Sequence, residues 1–221
     1  MRVSFVAIAA ATVFLATPLL GQQLREDSYR WFVGAQAGVL LFETQTQTRT
    51  GIPSGGAHVL IMAKRAALQV SIDEGFGSTD SSAFGDAGAP NGERRVGLDR
   101  LRKYSVTLMA FPLRGKSVDP FLGVGFGILH TVGTEVAGVF TSSSEASLAH
   151  SEAIERGSTG FGSLVAGIQT KLTPTLVLFG QYQITTSPTQ GSLLVGPTNT
   201  FAAGIRFSLG GAKEGIRGGG Y

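Results

Sequence analysis

The chain has 221 residues, no cysteine, 32 glycines and a formal net charge of +3. A charge this small and scattered excludes nucleic acid as a partner, and the missing thiols exclude a disulfide framework and thiolate chemistry. Past the first two dozen residues no apolar stretch approaches the roughly 20 residues of a spanning helix, so any membrane crossing is made by strands.

Residues 1–22 read as a secretory signal peptide. Met1 and Arg2 precede an apolar run over residues 6–16, and Pro18 and Gly21 follow it. Loss of Arg2 takes the net charge from +3 to +2 (3 − 1). The roughly 200 residues that remain suit one all-β barrel.

From Trp31 onward, apolar and small or polar residues alternate with a period of two, which predicts half-buried strands. In the first strand Trp31, Val33, Ala35, Ala37, Val39 and Leu41 oppose Arg30, Gly34, Gln36 and Gly38. The second sets Val59 and Ile61 against His58 and Met62, and Lys64-Arg65 turns into a third with Leu68, Val70 and Ile72 opposite Gln69, Ser71 and Asp73. The fourth carries Tyr104, Val106, Leu108 and Ala110 on one face. In the fifth, Leu122, Val124, Phe126 and Ile128 oppose Gly123, Gly125 and Gly127. The sixth shows Leu164, Ala166 and Ile168, and the seventh Leu176, Leu178 and Tyr182 beyond a turn at Thr173-Pro174. The eighth shows Phe201, Ala203, Ile205 and Phe207 opposite Ala202, Gly204, Arg206 and Ser208.

Connections near Lys64, Gly115 and Pro174 are short, whereas those near Thr50, Gly85, Ser143 and Pro188 are mostly longer and rich in Gly, Ser, Thr and Asp. Short turns at one end and long loops at the other are the layout of an outer-membrane barrel, and an even strand count puts both termini on the periplasmic side. A soluble lipocalin-like barrel would need Lys and Glu over its outer face. Here the apolar face of each strand is unbroken, and charges such as Arg94, Arg114, Lys116 and Glu152 gather in turns and loops. Trp31, Tyr104, Tyr182 and Phe207 are candidates for interfacial aromatics.

Two segments sharpen the reading, residues 119–127 (Asp-Pro-Phe-Leu-Gly-Val-Gly-Phe-Gly) and residues 167–176 running on to 180–183. With these motifs the chain resembles the small outer-membrane β-barrels of the OmpA-like and OmpW-like type. The resemblance implies contact with outer-membrane lipid and recognition by the outer-membrane assembly machinery through a final-strand aromatic, which Phe207 matches. It implies no periplasmic peptidoglycan-binding domain, for which residues 210–221 leave no room.

Candidate sites are few. The spacing of Gly123, Gly125 and Gly127 is strictly two, so all three line one strand face and make room in a narrow barrel; a dinucleotide loop needs a turn opening a helix. His58 and His130 read as strand-end residues facing the lumen or the interface. His150 and Ser151 lie in a polar loop, and no G-x-S-x-G elbow occurs. His150, Glu152 and Glu155 are read as a solvated loop rather than a cation site. Arg94, Arg95, Arg100, Arg102 and Lys103 form a basic cluster, read as a charged collar that is also a candidate contact for lipopolysaccharide phosphates. Asp73 and Arg206 point to the polar face and predict a lumenal ion pair or network that plugs the barrel, with Glu74 beside them.

The expected architecture is all-β, an eight-stranded antiparallel transmembrane β-barrel in the bacterial outer membrane. Residues 1–22 are the signal, 23–209 the barrel and 210–221 a glycine-rich tail, with residues 136–140 leaving ten strands open. The expected role is non-enzymatic, structural or surface-contacting, with no cofactor, metal or catalytic residue assigned. A narrow channel or carrier for a small or apolar solute is the alternative. A membrane-embedded lipid hydrolase would need a lumen-facing His–Ser pair that the sequence does not display.

Overall fold

In the computed structural model, which describes residues 28–213 except 90, 114, 116, 117, 189 and 190, the alternating segments close into one cylinder. The elements in chain order are β1 (Ser28–Thr44), β2 (Thr50–Met62), β3 (Ala66–Gly75), β4 (Asp80–Gly85), β5 (Glu93–Leu98) and β6 (Arg100–Ala110). They continue with β7 (Val118–Val132), β8 (Glu135–Ala137), α1 (Ser143–Arg156), β9 (Ser158–Lys171), β10 (Leu176–Thr185) and β11 (Leu194–Lys213). Eight strands form the closed barrel in the order β1-β11-β10-β9-β7-β6-β3-β2, each antiparallel to its neighbours. Closure leaves no sheet edge, the only way a strand-built wall satisfies its backbone in hydrocarbon.

The short turns are built as the sequence predicts. The Ala63 N–H donates to the Ala66 carbonyl at 2.8 Å around Lys64-Arg65. In the Thr173-Pro174 turn, Thr173 Oγ1 accepts from the Leu176 N–H at 3.0 Å.

Alternation sends one set of side chains out and the other in. Outward positions from Trp31 to Leu41, Tyr104 to Ala110 and Leu122 to Ile128 carry no charge, and Leu122 and Phe126 are 59% and 67% exposed. A charge at the bilayer midplane costs about 2–4 kcal/mol, so this face is made for lipid. The outer band ends at the long-loop side in a polar row: Glu74, Arg102, His130 and Ser158 stand directly opposite one another across β3, β6, β7 and β9.

Inside, the glycine row of β7 meets its neighbours closely. A Cβ on Gly127 would lie 2.1 Å from the Tyr104 carbonyl oxygen and 2.6 Å from the Phe161 ring. Gly127→Ala is therefore expected to destabilise the barrel by about 1–3 kcal/mol through overpacking. Urea unfolding in lipid vesicles measures this, and an unchanged midpoint would show that the wall has slack at this point.

Three features depart from the sequence reading. First, β11 continues to Lys213, opposite Ser28, so the first four residues assigned to the tail belong to the barrel wall. Residues 214–221 and the whole of the signal segment 1–22 lie outside the described residues. Second, within the 136–140 stretch, Val136 and Ala137 belong to β8, which pairs with β5 rather than adding a barrel hairpin. The strand order β4-β5-β8 makes a separate three-stranded sheet above the barrel. Third, residues 143–156 are a helix, not an irregular loop. Ser142 caps it by accepting from the Glu145 N–H at 3.2 Å, a Ser-x-x-Glu start legible in the sequence. Its periodicity is weak because only Ala149 and Ala153 are buried.

Candidate functional site

The lumen is filled, not open. Near the short turns Phe32, Leu60, Met62, Met109 and Phe121 form an apolar cluster. Near the long loops Leu40, Phe42, Leu101 and Phe161 form a second, completed by Phe84, Leu98, Ala153 and Leu193 from the segments above. Barrel and upper sheet thus share one core, and the sheet with α1 acts as a cap.

Between the clusters lies a polar layer centred on Arg206, which is 0% exposed. Its Nε donates to His58 Nε2 at 3.0 Å, Nη1 to Gln169 Oε1 at 2.8 Å and Nη2 to Gln69 Oε1 at 3.0 Å. The guanidinium also lies 3.9 Å from the Phe179 ring centroid, so the cation is held by three neutral acceptors and an aromatic face. Of the ion pair or network expected at Asp73 and Arg206, the structure has networks, with no direct contact between the two charges. Asp73 accepts from Gln36 and faces Lys103 Nζ at 3.8 Å. Lys103 in turn donates to Gln183 Oε1 at 2.6 Å and Thr200 Oγ1 at 3.2 Å. His58 is a buried mid-strand residue of the lumen rather than a strand-end one. As it accepts at Nε2, its proton sits on Nδ1, which has no partner among the described residues.

The basic cluster does not act as one body. Lys103 belongs to the lumen. Arg100 and Arg102 face outward and share Glu74, at 3.0 Å and 2.8 Å; Arg100 also reaches Asp99 at 3.1 Å. Arg95 stands exposed on β5. His130 faces outward at the band's upper edge, its Nδ1 2.6 Å from Ser158 Oγ. The sequence reading missed this pair because the partners lie on different strands and meet only through the β7–β9 register.

Arg94 is the bolt of the cap. Its side chain is 1% exposed, with Nε donating to Asp86 Oδ2 at 2.6 Å and Nη2 to Glu145 Oε1 at 2.9 Å. Its guanidinium also stacks 4.4 Å from the Phe140 ring centroid. One side chain of β5 therefore ties the β4–β5 turn to the first turn of α1. At the far end of the helix, Arg156 holds Glu152 at 2.7 Å and donates to the Gly191 carbonyl at 3.1 Å. Ser82 Oγ closes the ring by donating to the Leu193 carbonyl at 2.6 Å. His150, Glu152 and Glu155 all lie on α1, and no group of three His, Asp or Glu side chains among the described residues could hold a metal ion.

The cap carboxylates titrate low. The Gly88 N–H and then Arg94 hold Asp86 below the ordinary carboxylate range. The hydroxyl and N–H of Thr141, and then Arg94, do the same for Glu145. A depressed folded-state pKa contributes stability that is complete above the unfolded value and is lost as pH falls through the folded one. Protection from hydrogen exchange in β5 and α1, measured against the intrinsic rate at each pH, is therefore expected to fall as pH drops below about 4, the ordinary carboxylate range, while barrel amides stay protected. Equal loss of protection in cap and barrel would contradict this.

No protein-family model and no curated protein matches the sequence. The fold does have solved counterparts. Neisserial surface protein A (NspA) superposes with a TM-score of 0.52 at 11% identity, over 80% of this chain and 96% of that one. The fold is that of a small outer-membrane β-barrel. The outer membrane protein OprG from Pseudomonas aeruginosa covers 84% of this chain and 97% of its own, at 11% identity and a TM-score of 0.43. Ail of Yersinia pestis, solved with the heparin analogue sucrose octasulfate, covers 83% and 100%, at 14% identity and a TM-score of 0.39. With its closed wall and uncharged lipid-facing band, the barrel resides in the bacterial outer membrane.

Proposed function

We propose that this is a non-enzymatic barrel with a structural or surface-contacting role, its ordered cap being the contact surface. One observation carries the reading: Arg206 is fully buried and hydrogen-bonded in a lumen sealed by apolar clusters above and below. A filled cylinder of this kind stabilises a wall and a platform, whereas a channel or carrier needs a path through them. Purified protein in planar bilayers is expected to give no discrete current steps. Steps of reproducible amplitude would overturn the reading in favour of the narrow channel.

The cap supplies the contact surface because it is packed into the barrel core rather than tethered to it. Of the basic residues, Arg95 on the cap and Arg100 and Arg102 on the outer rim are the ones placed to meet lipopolysaccharide phosphates. The rim arginines already share Glu74, which weakens their claim. The His130–Ser158 pair has no carboxylate hydrogen-bonded to its imidazole among the described residues, and hydrolysis needs a base that is held in place.

A further inference from the structure

The lipid-facing wall is not evenly filled. A hollow of about 620 Å³ lies across β6, β7, β9 and β10, bordered by Leu108, Leu122, Val124, Leu164, Tyr182 and Ile184. It is hollow because the small Ala110 and Ala166 stand on either side of Leu122 in the same row. Toward the cap, the outer face of β9 continues with Gly162 and Gly160, opposite Phe126 and Ile128 of β7. A Cβ on Gly160 would meet no atom closer than 4.0 Å, and one on Gly162 only Thr186 Cγ2 at 3.4 Å. The two glycines therefore leave a trough beside Phe126 and Ile128 that the protein does not fill. Ser158 and His130 stand at its upper end.

That pair has a donor to spare. If the Ser158 hydroxyl donates to His130 Nδ1 across their 2.6 Å contact, the ring's Nε2–H is left over; if Nδ1–H donates to Oγ, the hydroxyl proton is left over. Either way one donor has no acceptor among the described residues. Arg102 is next in the row, its charge shared with Glu74. The pair calls for an acceptor oxygen at the membrane surface, and an ionised phosphate is the strongest that a lipid offers. The depth also fits. Leu164 lies 164 − 158 = 6 residues below Ser158. At about 3.3 Å per residue and a tilt of about 40°, that is roughly 15 Å of depth. One leaflet takes half of a hydrocarbon core of about 30 Å. A chain whose headgroup sits at His130 and Ser158 thus ends at the hollow.

We propose that the outer face of β9 binds one acyl lipid, its phosphate at the His130–Ser158 pair, its chain along Gly160 and Gly162 and the chain end in the hollow. The site lies on the wall and does not depend on the contact role of the cap.

The probes are myristoyl lysophosphatidylglycerol and monomyristoylglycerol, each spin-labelled at the chain end. They are added to the intact protein refolded in dodecyl maltoside, a detergent without phosphate. Line broadening of the Val124 and Leu164 amides reports the chain end in the hollow. The phosphate lipid is expected to broaden them saturably, at about tenfold lower concentration than the glyceride, since a hydrogen bond to a charged group is the stronger. Ala35 and Ala57, paired on the far side of the ring, should stay sharp. Gly160→Leu, whose side chain enters open space, is expected to weaken the phosphate lipid about tenfold, and Ala57→Leu to change nothing. His130→Phe combined with Ser158→Ala should bring the phosphate lipid down to the level of the glyceride. If the two lipids bind the wild-type protein alike, the pair selects no headgroup and the proposal fails. It fails equally if Ala35 and Ala57 broaden as much as Leu164, if Gly160→Leu folds and binds unchanged, or if the protein is a dimer whose partner keeps both probes off β9. The first comparisons use the wild-type chain, so a variant that does not fold leaves the test intact.

Discussion

Replacing Arg206 with alanine is expected to lower the barrel's stability by at least about 3 kcal/mol, read as a fall in the urea midpoint in lipid vesicles. The change strips the donor from His58, Gln69 and Gln169 at once, and each buried acceptor left unsatisfied costs about 1–3 kcal/mol. It also removes the cation from the Phe179 face. Arg206→Lys should recover only part of the loss, because an ammonium on a flexible stem does not reproduce a planar fork with three separate acceptors. Replacing the arginine together with its three acceptors by apolar residues of matching volume should cost far less than the single truncation, since no polar group is then stranded. The Arg206→Ala protein should still give no current steps, because the apolar clusters on either side remain. An unchanged midpoint would mean that internal water takes over the three acceptors, and the layer would lose its structural weight.

Arg94→Ala is expected to release the cap without unfolding the barrel. The variant leaves Asp86 and Glu145 facing each other without their shared cation and removes the stacking on Phe140. Segments 76–99 and 133–157 should then be cleaved by added protease on the order of tenfold faster, because cleavage follows the population of the opened segment. The barrel strands should survive as a protected fragment. Arg94→Lys keeps one charge and serves only one carboxylate well, so its cleavage rate should fall between the two. If Arg94→Ala were cut no faster than wild type, the cap would be held by the Phe84, Val96 and Leu98 packing and the Arg156 and Ser82 hydrogen bonds without need of Arg94. The same experiment on Arg95→Ala, a solvent-facing neighbour, is the control and should change nothing.

Much of the wall was legible from one property of the chain. Period-two alternation fixed which residues of the Trp31, Tyr104, Leu122 and Phe201 strands face lipid, because successive side chains on a strand point to opposite faces. It also placed Gly123, Gly125 and Gly127 together on the inner face, where space is short. The cap was harder to read. Segments β4 and β5 are six residues each and β8 only three, too short for a periodic signal, and α1 buries only two alanines. The Ser142-Glu145 start is a local cue, set among other serines that share its composition.

By itself the sequence determined a barrel of antiparallel strands, its lipid-facing side, and which end carries the short turns. These are local matters, set by side-chain alternation and turn chemistry within a few residues. Only the tertiary structure decided the fate of the charges. Arg94 and Lys103 look alike in a run of basic residues, yet one bolts the cap and the other enters the lumen. Arg206 finds His58 across 148 positions of chain, and Ser158 finds His130 through strand register. A buried charge takes whichever partners the closed cylinder brings within reach, and that choice is written in the closure rather than in any single strand.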